Sequence, residues 1–299
     1  MKNEYRVSIV IPCYNTRDLV LKNIPKVIEA WKNRSNKIIE IIVVDDGSPD
    51  DSAKVIKENF PEVRLIRHKK NRGFSSAVNT GVRMAKGNLV VLLNTDVIPA
   101  NDFLVATLPL FDNKKVFAVS LHEEGYSWAK SDFSNGYLMH GQGEISATTH
   151  ISFWASGGSA IFRREYWVRL GGMDEKIFSP FYWEDIDLSY RAAKRGLQVL
   201  WEPKAMVVHQ HESTVSKLSK TYVQRTRERN ELLFIWKNIT SSRLIRRHMV
   251  GVISRLVKHP GYLRIIIMAL FKLPVTLKAR RREIREAKLS DETIFERFK

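Results

Sequence analysis

The stretch IIVVDDGSPDDS, residues 41–52, joins an apolar run to a cluster of acids and turn-forming residues. The run at 41–44 has no polar interruption, which is typical of a strand that is buried on both faces of a sheet. Asp, Gly, Ser and Pro follow it directly, and these residues favour a turn and the start of a helix. The stretch therefore predicts a buried strand, a turn and a helix, which together form the first half of a βαβ unit.

The same alternation extends to both sides of this stretch. Segments with helix-like apolar spacing separate further apolar runs, and this alternation predicts right-handed βαβ units. We therefore expect an α/β fold class, a Rossmann-like, mainly parallel sheet with helices on both faces. The predicted strands are 8–11, 41–44, 63–66, 89–93 and 117–121, and the predicted helices are 18–31, 52–59 and 75–85.

The middle of the chain is less regular. Residues 122–150 are polar and contain four glycines, which indicates a loop or an irregular hairpin. Ordered structure is expected again beyond residue 152. The pattern predicts strands at 157–162, 198–202 and 205–208 and helices at 164–170 and 184–195, with glycines as helix stops.

Charge divides the chain unevenly. The chain has 49 Lys and Arg against 32 Asp and Glu, a net charge of +17. Residues 217–299 hold 21 of these bases but 7 of the acids, and residues 232–282 contain no acid. We therefore predict a globular domain at 1–216 and a basic amphipathic helical region at 217–299. Such a region favours a polyanionic partner, either a phospholipid surface or nucleic acid.

A membrane surface suits the basic region better than nucleic acid does. Within 245–256, apolar residues recur on one side of a predicted helix and arginines lie on the other. The apolar run at 265–271 is too short for a bilayer span, which needs about 20 residues, but it suits an interfacial helix. Regularly interleaved aromatics are missing from the region. We therefore expect an anionic membrane surface to bind residues 232–288, and we expect no nucleic acid partner.

The cysteine content and the N-terminal sequence indicate where in the cell the protein is located. The single cysteine, Cys13, allows neither a disulfide nor a cysteine-based zinc site. The apolar run near the N-terminus ends at Pro12, which is typical of neither a signal peptide nor a membrane span. We therefore expect a cytoplasmic protein that associates peripherally with the cytoplasmic face of the membrane.

Polar clusters follow three of the predicted strands, at 13–15, 45–48 and 94–96. The carboxyl ends of parallel strands meet at one edge, where ligands bind, and carboxylates there suit a nucleotide and a divalent cation. The alternative is that Asp45 and Asp46 only form a turn and a helix N-cap. The sequence contains no P-loop, and no G-x-G-x-x-G follows the first strand, so neither of these nucleotide sites is expected.

Five motifs, in this order, resemble the family 2 glycosyltransferases, which are nucleotide-sugar-dependent inverting enzymes of the GT-A fold. The resemblance covers roughly residues 5–215, and the order and spacing of the motifs make it specific. The Asn-x-Asp form of the fourth motif resembles bacterial rhamnosyltransferase-like members. The motifs are VSIVIPCYN (7–15), IIVVDDGSPDDS (41–52), NRGFSSAVNTG (71–81), VVLLNTD (90–96) and FYWEDIDLSYRAAKRG (181–196).

The resemblance implies a nucleotide site in the loops after the strands. Asp46 matches the family acid that hydrogen-bonds the base, and Arg72 suits a contact with base or phosphate. Arg229 and Asn230 resemble a family motif near the diphosphate, and a solvated helix face is the alternative. The implied nucleotide-binding residues are Pro12, Tyr14, Asn15, Asp45, Asp46, Arg72, Gly73, Asn94 and Thr95.

The resemblance also implies a divalent cation, Mg²⁺ or Mn²⁺. The family carries an Asp-x-Asp metal motif where this chain has Asn94, Thr95 and Asp96, which leaves Asp96 as the principal acidic ligand. In the family a histidine near the strand predicted at 205–208 can complete the metal site. His209 aligns best with it, and His211 is the alternative.

An acceptor site is implied by the last motif. Asp185 matches the general base of the family, with Trp183 and Glu184 beside it. Gly157 and Gly158 would allow a close approach of the backbone to the sugar. The alternative is that the acids only occupy the first turn of a helix, where the helix dipole favours negative charge.

The sequence therefore predicts an inverting hexosyl- or deoxyhexosyltransferase. It would move a sugar from a UDP-, dTDP- or GDP-sugar to a hydroxyl of a glycan or lipid-linked acceptor, in cell-surface polysaccharide synthesis. A hydrolase would also use paired carboxylates, but the nucleotide motifs would then have no purpose. The remaining alternative is a basic nucleic-acid- or membrane-binding protein with a non-catalytic nucleotide-binding domain.

Overall fold

A computed structural model describes residues 4–210 and 218–298 of the chain. The β-strands within these residues are β1 (Val7–Cys13), β2 (Ile38–Asp45), β3 (Arg64–Arg67), β4 (Leu89–Leu93), β5 (Val97–Pro99), β6 (Val116–Glu123), β7 (Ala129–Ser134), β8 (Tyr137–Gln142), β9 (His150–Ile151), β10 (Ser159–Arg163) and β11 (Gln198–His209). The α-helices are α1 (Arg17–Lys32), α2 (Ser52–Asn59), α3 (Phe74–Met84), α4 (Arg164–Leu170), α5 (Glu184–Lys194), α6 (Lys220–Asn238), α7 (Ser242–Lys258), α8 (Leu263–Leu270), α9 (Leu273–Glu286) and α10 (Asp291–Phe295).

The central sheet has the strand order β3-β2-β1-β4-β10-β6-β11-β5, and β9 pairs with β11. Strands β3, β2, β1 and β4 are parallel, as the βαβ pattern predicts, and β11 is parallel to β6. Strand β10 is antiparallel to both of its neighbours, and β5 and β9 are antiparallel to β11. The parallel half thus places the ends of β1, β2 and β4 at one edge of the sheet.

Helices cover both faces of the sheet, which explains the uninterrupted apolar runs. Ile9 of β1 packs in one core with residues of α1 and α2, whereas its neighbour Val10 packs on the other face with α3 and α4. All five residues of β4 are buried for the same reason. The predicted α/β fold class is therefore confirmed.

Two segments differ from the sequence prediction in detail. Residues 198–209 form one strand, β11, where two short strands are expected, because a shift in the pairing register between Trp201 and Met206 accommodates Pro203. The polar segment at 122–150 contains a regular antiparallel hairpin, β7–β8. Its turn is Asn135-Gly136, both at positive φ, which suits a two-residue hairpin turn.

The basic C-terminal region is helical, and its helices share a core with the middle of the chain. Apolar residues of α6, α8 and α10 pack with those of the β7–β8 hairpin and of α5. The predicted boundary at 216–217 lies outside the described residues, so the division into two parts stays a prediction. Among the described residues, no single helix has the length and apolar composition to cross a membrane. The helices Pro260–Leu270 and Leu273–Glu286, which are bent by 69° relative to each other, have the required length and apolar composition only when they are taken together.

Candidate active site

The loops after β1 and β2 are joined at the edge of the sheet. The backbone N–H of Asp46 donates to the carbonyl of Cys13 at 2.8 Å, and the N–H of Asn15 donates to Ser48 Oγ at 3.0 Å. Asn15 itself has φ +55°, which the tight turn after β1 requires. Pro12 and Tyr14 are half-buried beside this turn. The structure therefore brings the first two predicted nucleotide-binding loops together.

Asp45 and Asp46 bind groups of their own chain. Asp45 is fully buried, accepts from Ser48 N–H at 3.1 Å and lies 2.9 Å from Arg67 Nε. Asp46 accepts from the backbone N–H groups of Arg72 and Gly73, the latter at 2.7 Å. The two acids therefore hold the surrounding loops in place. A contact of Asp46 with a nucleotide base stays a prediction.

His68 and Arg72 complete this side of the site. His68 Nδ1 lies 2.6 Å from Asp46 Oδ1, and its Nε2 lies 3.1 Å from Thr80 Oγ1. The guanidinium of Arg72 is about half exposed and lies 3.4 Å from Glu175. Arg72 is thus accessible for the predicted base or phosphate contact, whereas His68, which belongs to none of the sequence motifs, supports Asp46.

The Asn94-Thr95-Asp96 segment lies against the glycine pair. The N–H of Asn94 donates to the carbonyl of Gly158 at 2.9 Å, and the carbonyl of Thr95 accepts from Asn23 Nδ2 at 2.8 Å. A Cβ at Gly158 would lie 2.4 Å from Asn94 Nδ2. The glycine at 158 is therefore required for the close contact between these two segments.

Asp96 and His209 lie together in the structure, as the metal prediction requires. His209 Nε2 is 3.2 Å from Asp96 Oδ1, and its Nδ1 is 3.1 Å from Glu123 Oε2. Ser159 Oγ donates to the other Glu123 oxygen at 2.5 Å. Burial alone would lower the pKa of His209, but hydrogen bonds with Asp96 and Glu123 raise it to about 9. His211 lies outside the described residues.

The fit of a divalent cation to this cluster depends on its oxygen and nitrogen donors. Asp96 Oδ2 is buried and has no hydrogen-bond partner among the described residues. In the same part of the chain, no group of three or more His, Cys, Asp or Glu side chains could hold a metal by itself. A site with one carboxylate and one imidazole nevertheless fits Mg²⁺ or Mn²⁺, since such ions bind one or two carboxylates together with substrate phosphates and water.

The last predicted motif lies at the N-terminus of α5, next to the glycine pair. Asp185 Oδ2 accepts from the N–H of Gly157 at 3.2 Å, and burial raises the pKa of Asp185. Burial and the nearby Asp185 raise the pKa of Glu184 to about 8. Glu184 Oε2 is buried and unpartnered in the described structure. Gly157 and Gly158 thus connect the Asp185 segment to the Asn94 segment.

The environment of Trp183 differs from that of an acceptor-site residue, which the resemblance implies. Its side chain is only 4% exposed, and its ring lies 5.5 Å from that of His140 and 5.2 Å from that of Phe234. Its backbone has φ +78°, and the preceding Tyr182 has φ +71°. The ring therefore packs in the core, and a contact of Trp183 with the acceptor stays a prediction.

Residues far along the chain hold the loop that leads into α5. Asn230 is fully buried, and its Nδ2 donates to the carbonyls of Phe178, Phe181 and Tyr182. Lys272 Nζ donates to three further carbonyls of the same loop, within 3.1 Å. Asn230 is thus neither on a solvated helix face nor free for a diphosphate. In the sequence, the resemblance to a family motif was the only indication of Asn230, and nothing indicated Lys272.

Solved structures with similar backbones define the class of fold. GalNAc-T7, solved with UDP, GalNAc and Mn²⁺, aligns over 88% of this chain and 57% of that chain, with a TM-score of 0.64 and 16% identity. The mannosyltransferase PcManGT of Pyrobaculum calidifontis, solved with GDP-Man and Mn²⁺, aligns over 95% of this chain and 86% of that one, with a TM-score of 0.58 and 19% identity. The fold of the chain is therefore that of the GT-A glycosyltransferases.

The sequence comparison gives the family. Residues 8–170, more than half of the chain, match the profile described as Glycosyl transferase family 2, and the chain belongs to that family. A pre-mycofactocin glycosyltransferase of Mycobacterium tuberculosis H37Rv is 30% identical over 181 residues, 58% of this chain and 38% of that protein. A dolichol-phosphate mannosyltransferase of Pyrococcus furiosus is 35% identical over 165 residues, 52% of this chain and 46% of that protein. The chain thus matches less than half the length of these two relatives.

Proposed function

We propose that the protein transfers a sugar from a nucleotide-sugar donor to a hydroxyl group with inversion at the anomeric carbon, and that Asp185 is the general base. One arrangement carries this proposal. The Asp185 carboxylate is bound to Gly157 N–H, and the adjacent Gly158 is bound to Asn94, two residues before Asp96. A base and an acidic cation ligand are therefore connected through one glycine pair.

The reaction is a single in-line displacement. Asp185 takes the proton from the acceptor hydroxyl, whose oxygen forms a bond to the anomeric carbon while the bond to the diphosphate oxygen breaks. The raised pKa of Asp185 makes it a stronger base than an exposed aspartate. The nucleoside diphosphate leaves with the electrons of the broken bond, and the acceptor is glycosylated with inverted configuration.

Asp96 and His209 would hold the divalent cation. Bound there, Mg²⁺ or Mn²⁺ would supply positive charge beside the departing diphosphate. Asp96 provides the buried oxygen without a partner, and Glu123 keeps the imidazole of His209 oriented through its Nδ1. The two similar GT-A structures were solved with Mn²⁺ together with UDP or GDP-Man, which supports a divalent cation in this proposal.

The donor in this proposal is a hexose or deoxyhexose carried by UDP, dTDP or GDP. The loops after β1 and β2, with Arg72 at their rim, would bind the nucleotide. The acceptor is a glycan or a lipid-linked hydroxyl used in cell-surface polysaccharide synthesis. The dolichol-phosphate mannosyltransferase among the relatives supports a lipid-linked acceptor.

We also propose that the enzyme binds peripherally to the cytoplasmic face of a membrane through residues 232–288, where a lipid-borne acceptor would lie. Exposed apolar side chains of the C-terminal helices support this location. Phe271 is 83% exposed, and Leu263, Ile267 and Leu270 of α8 are also exposed, beside Arg264. Apolar and basic side chains together are the composition of interfacial helices.

The direct test is thermal stabilisation by a panel of nucleotide sugars, with and without Mn²⁺. One donor should raise the melting temperature, and Mn²⁺ should increase the shift, because ligands that bind only the folded state stabilise it. Asp96→Asn should lose the Mn²⁺-dependent part and keep the rest. If no nucleotide or nucleotide sugar stabilises the protein under either condition, the proposal is wrong.

A further inference from the structure

A basic groove lies between the β7–β8 turn and helix α7, away from the glycine pair and Asp185. It has a volume of about 810 Å³. Six basic side chains line it, and its lining includes no Asp or Glu. These side chains are Arg243, Arg246, Arg247, Arg255, Lys258 and His259.

The walls of the groove are held by contacts that leave no room for larger residues. A Cβ at Gly136 would lie 2.5 Å from the carbonyl oxygen of Arg247, and a Cβ at Gly251 would lie 2.4 Å from that of Asn135. Buried His248 joins the two walls, since its Nδ1 lies 2.7 Å from the carbonyl of Gly136. The hairpin turn is therefore fixed directly against the helix, and the groove has a defined shape.

Part of its positive charge is uncompensated. Arg243 lies 3.5 Å from Glu292, and Arg255 lies 3.2 Å from Glu228. Across residues 4–210 and 218–298, no ion pair joins Arg246, Arg247 or Lys258 to a carboxylate. All three side chains are exposed. They are therefore available to an anion from outside the protein.

An apolar strip runs along the same helix beside these cations. Val250 lines the groove, and the residues near it recur at a spacing of three or four, which keeps them on one side of the helix. The strip consists of Met249 (53% exposed), Val250 (68%), Ile253 (60%) and Val257 (76%). An apolar strip next to free cations suits a surface that presents phosphate above hydrocarbon.

We propose that this groove binds the phosphate-bearing headgroup of an anionic membrane lipid while the apolar strip enters the acyl region. The inference deepens the membrane part of the proposed function, because it assigns the contact to one site. The strip argues against a free phosphate, which has no apolar part. Helix α7 contains no Phe, Tyr or Trp, and Tyr137 in the lining is buried, so the site does not suit stacked bases of a nucleic acid.

Vesicle flotation of the full chain tests the site. The wild-type protein should float with phosphatidylcholine vesicles that contain phosphatidylglycerol and stay unbound with phosphatidylcholine alone. R246Q/R247Q should bind the anionic vesicles about 30-fold more weakly, since each basic residue near an anionic surface contributes on the order of 1 kcal/mol. The matched control is K54Q/K57Q, which removes the same charge from exposed lysines of α2 and should bind as the wild type does.

Two further arms identify the ligand. I253Q/V257Q should also weaken vesicle binding, whereas a site for a free anion would be insensitive to it. The proposal is overturned if R246Q/R247Q floats as the control does, or if inorganic phosphate stabilises only proteins with both arginines while I253Q/V257Q binds vesicles normally. It is also overturned if an oligonucleotide binds through these arginines when vesicles do not. Nucleotide-sugar stabilisation of R246Q/R247Q should be normal, so a failure here is separable from a failure of the transferase assignment.

Discussion

Glu123 is the residue on which the geometry of the predicted cation site depends. Its carboxylate lies 3.1 Å from His209 Nδ1, which leaves Nε2 directed at Asp96. A carboxylate on the second ring nitrogen fixes the tautomer and orientation of a metal-binding histidine. The sequence gives no sign of this role, because Glu123 stands at the end of β6 in a segment that resembles no motif.

Glu123→Gln should therefore weaken Mn²⁺ binding by roughly 10- to 100-fold. Titration of free Mn²⁺ by electron paramagnetic resonance measures this without turnover. Glu124→Gln is the control, since Glu124 is exposed next to it in the chain. Equal Mn²⁺ affinity for the two variants would show that Glu123 has no role in the cation site.

The titration of Glu184 predicts how the stability of the folded protein depends on pH. Burial raises its pKa from 4.5 to about 8, so between these pH values the folded protein keeps a proton that the unfolded chain releases. Stability from this group is fully present below pH 4.5 and is lost as the pH rises toward 8. Glu184→Gln carries no such proton, so its melting temperature should rise relative to the wild type as the pH increases.

Thermal melts of the two proteins across this pH range measure the difference. Because both contain every other titrating group, the comparison reports on Glu184 together with its interaction with Asp185. A difference in melting temperature that stays constant with pH would show that Glu184 titrates normally.

The close packing of α3 on β1 depends on Gly81. A Cβ at this position would lie 2.3 Å from Val10 Cγ1 in the sheet. Helix propensity alone favours alanine over glycine by about 1 kcal/mol, but overpacking costs about 1–3 kcal/mol. Gly81→Ala should therefore lower the free energy of unfolding.

Chemical denaturation with urea measures this change. Gly141→Ala is the control, because no atom lies within 4 Å of a Cβ at that residue. It should change the free energy of unfolding by about 0.5 kcal/mol or less. A Gly81→Ala variant as stable as this control would contradict the packing argument.

Local patterns predicted the parallel half of the sheet well and the remainder less well. The apolar runs at 41–44 and 89–93 lie within β2 and β4, because a strand covered on both faces has an unmistakable composition. The antiparallel β10 and the single strand β11 depend on pairing between distant segments, which no local pattern records. The same holds for Lys272, whose contacts with the loop before α5 join residues about 95 positions apart.

Buried ion pairs connect the C-terminal helices to the helix that carries Asp185. Lys237 of α6 lies 3.0 Å from Asp174 and 2.9 Å from Asp187 of α5, and Arg191 also binds Asp187. Asn238 donates to the same carboxylate at 2.8 Å. The basic C-terminal region thus helps to hold in place the helix that carries Asp185.

Lys237→Met should destabilise the protein, by up to about 3–5 kcal/mol, because it removes the buried cation that Asp174 and Asp187 share and leaves Asp187 with Arg191 alone as its charge partner. The control is Lys26→Met, whose exposed pair with Glu29 is worth about 0–1 kcal/mol. Urea denaturation compares the two variants. Equal stability would show that α6 and α5 are not coupled through this lysine.

Sugar transfer with Asp185 as the base is tested with the variant Asp185→Asn. Once a stabilising donor is known, release of nucleoside diphosphate in the presence of acceptor is measured for this variant and the wild type, together with donor binding. We predict that turnover falls by roughly 10²- to 10⁴-fold while donor affinity is unchanged. Normal turnover by Asp185→Asn would exclude Asp185 as the general base.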